Sequence, residues 1–321
     1  MAVDQKIGIF TTKMRTEFQR AYQATAEPAK WQNFTQIIPS TARIEHYTWM
    51  SPSPGISRYK GHRRFGKIDT IKYSVENKEF DAAFEVLLRD IEDDQTGGYE
   101  IKPKELADRA RIFPGRWSLK LLGQGASSYC FDGTYFFADS HTIGTGDNKL
   151  TGTGTANSDS ASYKMALLYH GGPLKPLLYQ ERKAPRFMTD AGTPQSSMAK
   201  QVKYWIDMEG EAAFGYWWDS VLHTWTNLPN VTDMHDAFRR MIAAFRGFVL
   251  PKSLDSEDGE YIHEQTDFSS ANMTLVVTPA LEQIAKQAVN AEWIPVTVGG
   301  TTVSNTNLYK GLCDVVATNF M

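Results

Sequence analysis

The sequence predicts an α+β protein. Apolar residues recur at helical spacing through residues 100–123, where Leu106, Ala110, Phe113, Trp117, Leu121 and Leu122 share a side. Period-two runs come before it: Ile71, Tyr73 and Val75, then Phe80, Ala82, Phe84 and Val86. Helix and strand signals then alternate through residues 226–321.

Taken in order, residues 1–40 predict an arm. Phe18, Ala21 and Tyr22 mark a helix, and the segment has too little apolar surface to fold alone. Residues 41–88 predict an extended excursion. Ser51-Pro52-Ser53-Pro54-Gly55 is a turn signal, and the two alternating runs suit a long hairpin, although Phe80, Phe84, Leu87 and Leu88 also fit a helix. Two strands alone are marginal in water, so such a hairpin needs a partner surface. The helix at 100–123 holds Pro114-Gly115, which predicts a kink or a break, and Gly123 and Gly125 suit its end. Residues 142–162, rich in Gly, Thr, Ser and Asn, read as a surface loop. They lack the Gly-Lys-Ser/Thr ending of a phosphate loop.

Residues 163–225 read as strands, closing on a block with Tyr204, Trp205, Phe214, Tyr216, Trp217 and Trp218. Base stacking is one use for such rings. The acidic neighbours Asp207, Glu209, Glu211 and Asp219 favour a core or an interface. In 226–321, Asp233 is a plausible N-cap for a helix carrying Met234, Phe238, Met241, Ile242 and Phe245. Thr278 caps a second helix with Pro279 at its first position and Leu281, Ile284, Ala285 and Ala288 as its stripe. Further strands fall at 273–277, 293–298 and 312–316.

Composition narrows the function. The 321 residues are 41% hydrophobic and 22% charged, ordinary for a folded chain. The net charge of -3 carries no global polycation signature, though local basic patches remain open. Cys130 and Cys313 stand far apart without a second Cys or His at ligand spacing, so buried thiols are expected rather than a disulfide or zinc site. No run approaches the roughly 18 apolar residues of a membrane span, and the start MAVDQKIGIF is unlike a signal peptide. The chain reads as made and assembled in a reducing cytoplasm.

Catalytic patterns are weak. Asp139-Ser140-His141 is the best local cluster, yet triad members meet through the fold and not by adjacency. No enzyme activity, cofactor or metal is expected. Two charged patches stand out instead. Arg58, Lys60, Arg63, Arg64 and Lys67 form a basic run with His62, and Asp90, Glu92, Asp93 and Asp94 form an acidic cluster. The acidic cluster lacks the spaced ligands of a calcium loop. The basic run suits either nucleic-acid phosphates or the acidic cluster of a second copy. A nucleic-acid-binding protein using the 58–67 run is the alternative function.

Four segments, in order, carry a resemblance: FEVLLRDIEDDQTGGYE, LKLLGQGASSYCFDGTYFFADSHTIG, LKPLLYQERKAPRF, and TLVVTPALEQIAKQAVNAEW followed by TTVSN. Together they resemble the Mu-like phage major head subunit family, with the stretch 132–141 the most specific. The resemblance implies a major capsid protein with the Hong Kong 97 type of fold. It implies assembly into hexamers and pentamers of an icosahedral tailed-phage head around double-stranded DNA, in the virion, after assembly in a bacterial cytoplasm. Scaffolding, protease and portal proteins are implied partners. In that fold residues 1–40 would be the N-arm and 41–88 the extended β-hairpin loop. Residues 89–225 would be the peripheral domain with its spine helix at 100–123, and 226–321 the axial domain. The strand block 163–225 precedes the axial module here, which implies a rearranged connectivity.

Overall fold

The computed structural model describes residues 3–24, 30–52, 61, 71–93, 98–154, 163–250, 260–298 and 301–321. The first third of the chain forms α1 (Val3–Gln23), α2 (Trp31–Phe34), β1 (Thr35–Pro39), β2 (Ile44–His46), β3 (Ser74–Glu76), β4 (Lys78–Leu87), α3 (Leu88–Asp93) and α4 (Ile101–Gly123). The middle forms β5 (Lys149–Gly152), β6 (Tyr163–Tyr169), β7 (Leu177–Thr189), α5 (Pro194–Ala199), β8 (Gln201–Phe214) and β9 (Ser220–Trp225). The last third forms α6 (Val231–Gly247), β10 (Val249–Leu250), β11 (Glu260–Tyr261), β12 (Met273–Val277), α7 (Glu282–Asn290), β13 (Trp293–Val298), β14 (Thr301–Thr306) and β15 (Asp314–Ala317).

One layer is a four-stranded sheet of order β1-β7-β8-β4, under the helices α1 and α4. Alternation in β8 turns Val202, Tyr204 and Ile206 to the helices, where they bury Met14 and Phe18 of α1 and Leu106, Ala107 and Ala110 of α4. Ion pairs Lys13–Glu100 and Lys104–Glu17 step forward together along the two helical segments, so α1 and α4 run in the same direction. The alternating run at 80–86 is strand, but it does not fold back on 71–75. It pairs antiparallel with β8, from Lys78 opposite Gly210 to Leu87 opposite Gln201. The antiparallel ladder of the segment 41–88 is β2 with β3, and residues 53–60 and 62–70 of the expected hairpin lie outside the described residues. A run with one apolar face pairs wherever that face is buried, and here the burial is under α4.

The expected break at Pro114 is absent: α4 is one continuous helix of 23 residues. The Ser118 hydroxyl donates to the Pro114 carbonyl at 2.9 Å. Gly115 serves a close approach instead, because a Cβ there would lie 2.2 Å from Cγ of the buried Trp31. Alanine gains about 1 kcal/mol in helix propensity over glycine. Overlap with a wedged indole outweighs that gain. Gly115→Ala is expected to lower stability by about 1–3 kcal/mol, read as a lower urea midpoint. An unchanged midpoint would mean that Trp31 yields freely.

The second layer is a five-stranded mixed sheet of order β15-β12-β6-β9-β5. β12 is buried at every residue and β6 at most of them, the continuous apolar pattern of strands covered on both faces. Met234, Phe238, Met241 and Phe245 of α6 and Ala285, Ala288 and Val289 of α7 join this core. The expected boundary at 225/226 does not coincide with a sheet boundary. Strands β5, β6 and β9 from before it share one sheet with β12 and β15 from after it, joined by the antiparallel ladder of β6 with β12. The cap of α6 is Asn230, not Asp233. Asn230 accepts from the Asp233 amide, and Asp233 closes a capping box by accepting from the Asn230 amide. The Thr278 side chain makes no cap bond; a 3₁₀ turn at Pro279–Leu281 leads into α7.

Candidate functional site

The root of the excursion at β2–β3 is pinned by buried polar side chains. The Tyr47 hydroxyl donates to Gln180 Oε1 at 2.7 Å, and Gln180 Nε2 reaches the Val75 carbonyl at 3.4 Å. Asn77 Nδ2 donates to Ser40 Oγ at 2.9 Å and to the Ala42 carbonyl at 2.8 Å. Glu45 accepts from the Ala42 and Thr41 amides and the Ser40 hydroxyl, and these bonds, the Ala42 one first, hold its carboxyl down. Burial, with Glu45 beside it, pushes the Tyr47 phenol up to about 12, so it stays a donor. The Phe214 amide donates to the Tyr73 hydroxyl oxygen at 3.0 Å. Gln180 and Asn77 were missed at the sequence level. The one visible signal was a lone Gln within the apolar run Leu177, Leu178, Tyr179.

Of the predicted contact residues, Arg58, Lys60, Arg63, Arg64, Lys67 and Asp94 lie outside the described residues. Asp90, Glu92 and Asp93 sit on α3, directly after β4. Asp90 accepts from the Tyr99 hydroxyl at 3.3 Å and pairs with Arg89 at 3.4 Å. Lys6 donates to the Glu92 carbonyl at 3.3 Å, tying α1 to this turn. The Glu92 and Asp93 side chains are exposed beside the buried Ile91. These carboxylates are therefore presented on a short helix anchored by one apolar residue.

Four of the six rings of the aromatic block are core, while Trp205 and Tyr216 are half-buried. Tyr204, Phe214, Trp217 and Trp218 are buried, and Trp217 has no exposure at all. The Trp217 indole donates to the Ile143 carbonyl at 3.0 Å and stacks flat on His141 at 3.8 Å.

His141 does not pair with Asp139. Its Nδ1 lies 2.9 Å from Asp132 Oδ2, and both side chains are fully enclosed. Its Nε2 lies 3.2 Å from Asn148 Oδ1. Asn148 is oriented by its Nδ2, which donates to the Phe136 and Trp217 carbonyls, and by the Ala138 amide, which donates to its Oδ1. Each ring nitrogen thus lies within hydrogen-bond reach of an acceptor, and the ring lies flat on the Trp217 indole. Asp132 also accepts from Thr134 Oγ1 at 2.6 Å, the Thr134 amide at 3.0 Å, Cys130 Sγ at 3.0 Å and the Thr142 amide at 3.3 Å. Burial pushes this carboxyl up, and the bonds from His141, Cys130 and Thr134 outweigh it, holding it well below the usual range.

Cys130, Asp132 and His141 are metal-ligating residue types with their ligand atoms within 4.8 Å of one another. Each already has a hydrogen-bond partner inside the cluster. Burial, then the Asp132 charge, pushes the Cys130 thiol up, away from the thiolate that a metal needs. The cluster works as a hydrogen-bond knot that closes the loop 132–142 onto Trp217.

The family described as Mu-like prophage major head subunit gpT matches residues 7–321. The chain is 30% identical over 198 residues to the Mu-like prophage FluMu major head subunit of Haemophilus influenzae, covering 59% of this chain and 64% of that protein. It is 25% identical to the major capsid protein of Escherichia phage Mu, over 98% of both chains. Among solved structures, it is similar to the chain in the procapsid of bacteriophage JBD30, with a TM-score of 0.70, 26% identity and 98% of each chain covered. It is also similar to the chain of the JBD30 capsid, with a TM-score of 0.69, 21% identity and 94% of each chain covered. The mixed α+β architecture is that of phage capsid proteins.

Proposed function

This chain belongs to the Mu-like prophage major head subunit gpT family, and on that premise we propose how it builds a head. It is a major capsid protein, a structural component of the virion and not an enzyme. The family match across residues 7–321 carries this reading. Copies assemble into the hexamers and pentamers of an icosahedral shell around double-stranded DNA, with scaffolding, protease and portal proteins as assembly partners.

The Hong Kong 97 type of fold divides this subunit by sheet rather than by a single cut in sequence. The peripheral part takes α1, α3, the spine helix α4 and the sheet β1-β7-β8-β4. The axial part takes the sheet β15-β12-β6-β9-β5 with α6 and α7. The chain thus leaves α4, lays down β5 and β6, returns for β7 and β8, and goes back at β9. The excursion rooted at β2–β3 is the extended loop, and residues 1–40 remain the N-terminal arm, whose α1 folds onto α4 of its own subunit.

The basic run Arg58, Lys60, Arg63, Arg64 and Lys67 reaches the acidic residues Asp90, Glu92, Asp93 and Asp94 of a neighbouring copy. Identical subunits joined head to tail bring different patches together, and many modest contacts add up by valence. Replacing Arg58, Arg63 and Arg64 with Gln is expected to abolish or malform shells in negative-stain micrographs while the thermal melt of the free subunit stays unchanged. Normal particles from that variant would defeat the interlock.

A further inference from the structure

Positive charge is concentrated in two helices of the first layer. Helices α1 and α4 together carry ten Lys and Arg against four Asp and Glu, a balance of +6. The whole chain carries -3, so everything outside these two helices carries -9. Burial sorts these charges by face. Met14 and Phe18 of α1 and Leu106, Ala107 and Ala110 of α4 turn to the sheet, which leaves the opposite faces outward.

On α4 the outward positions are Lys102, Glu105, Arg109, Ile112, Arg116 and Lys120, all exposed and spaced three or four residues apart. The stripe is about 27 Å long at 1.5 Å per residue. Its one carboxylate, Glu105, faces Lys102 at 3.5 Å. Arg116 and Lys120 lie over rings rather than carboxylates, at 5.5 Å from the Phe320 centroid and 4.5 Å from that of Trp117. A cation held over a ring keeps its full charge while its position is fixed. Lys6, Lys13, Arg15 and Arg20 of the parallel α1 are exposed as well.

We propose that the outward face of the α1–α4 pair is the surface on which this subunit meets the phosphate backbone of duplex DNA. Duplex DNA presents about one negative charge per 1.7 Å, a uniform polyanion that a basic stripe along one helix meets without shape complementarity. An acidic protein partner would call for an apolar anchor beside the charges. The exposed isoleucines here are Ile9 on α1 and Ile101 and Ile112 on α4, and the two on α4 stand eleven residues apart, about 16 Å along the helix. The proposal rests on the subunit belonging to a DNA-filled head, and it assigns the layer that carries α1 and α4 to the inner side of the shell.

The test measures binding of the full-length subunit to a random-sequence DNA duplex by fluorescence anisotropy across roughly 0.05 to 0.2 M salt. The variant is Arg109→Gln, Arg116→Gln and Lys120→Gln combined. Its matched control is Arg239→Gln, Lys286→Gln and Lys310→Gln, on and beside the helices of the other layer. The logarithmic salt slope of the variant is expected to flatten by about 2.7, near 0.9 for each lost phosphate contact, with the control unchanged. Equal flattening in both triples would reduce the effect to net charge and overturn the assignment. So would the absence of salt-dependent binding by the unaltered chain. A variant that binds DNA normally but no longer forms shells would assign the stripe to a protein contact instead. If the triple variant fails to fold, the three single variants still read a flattening of about 0.9 each. Shell formation by the unaltered chain, seen by negative-stain microscopy, reads the capsid function separately, so either idea can fail alone.

Discussion

Replacing Asp132 with Ala is expected to destabilise the free subunit by about 3–5 kcal/mol, because several enclosed donors lose the one charged acceptor they share. The carboxylate faces His141 at 2.9 Å with neither side chain exposed. Its loss also strands donors: the Thr134 amide and hydroxyl, the Cys130 thiol and the Thr142 amide. Each buried group left without a partner costs about 1–3 kcal/mol, although relaxation of the loop recovers part of that. Asp132→Asn keeps the shape and two acceptor positions but loses the charge, so it falls between the wild type and Ala. Urea unfolding at neutral pH measures both. A loss below about 1 kcal/mol for the Ala variant would mean that the loop is held by Trp217 packing alone.

The pH dependence follows from the same site. The folded-state carboxyl of Asp132 is held below its ordinary value. Its stabilisation is therefore complete above the unfolded value near 3.9 and is lost as the pH falls toward the folded one. The wild type should lose more stability than Asp132→Asn as the pH drops from about 5 to 3.

How much of this was legible in the sequence depended on distance along the chain. The helix at 100–123 was readable because Leu106 and Ala110 repeat within a turn and bury together. β12 was readable because four of its five residues are apolar, and all five are buried. The knot at Asp132 was visible only as a landmark. Its meaning needed Asn148 and Trp217, which the fold brings from up to 85 positions further on, as the bond between Asn148 and the Trp217 carbonyl shows. Adjacency suggested Asp139 as the partner of His141, and the turn at Gly133, with φ of 78°, brings Asp132 there instead. Pro114-Gly115 carried the ordinary signal for a broken helix. Its use was a tertiary one, a gap for Trp31 from α2. No sheet boundary falls at 225/226 for a related reason: the antiparallel ladder of β6 with β12 joins strands far apart in sequence, which local patterning cannot report.

Asp219→Asn is expected to act in the opposite direction to Asp132→Asn and to stabilise the subunit at neutral pH. Asp219 is buried beside His263, with Oδ1 at 3.4 Å from Nε2. That nitrogen also lies 3.0 Å from the Trp218 carbonyl, the nearer of the two oxygens. The rings of Tyr169, Phe245 and Phe268 surround His263, so little polar surface remains to solvate a carboxylate. Arg246, the nearest cation on the facing helix, is committed to the carbonyls of His263, Glu264 and Thr266. Burial therefore dominates, and it pushes the Asp219 carboxyl up to about 6 against the opposing pull of His263. A folded value above the unfolded one means that the folded state holds the proton more tightly. The favourable contribution is complete below the unfolded value near 3.9 and is lost as the pH rises through about 6. Above that range the ionised side chain costs about 2–3 kcal/mol, from roughly two pKa units at 1.36 kcal/mol each. Asparagine removes the charge and keeps an oxygen able to accept from His263. The variant should melt higher than the wild type at pH near 7.5 and level with it at pH near 4. Parallel melting curves across that interval would show that Asp219 ionises inside the folded subunit without cost, and that the His263 pair, not burial, sets its charge.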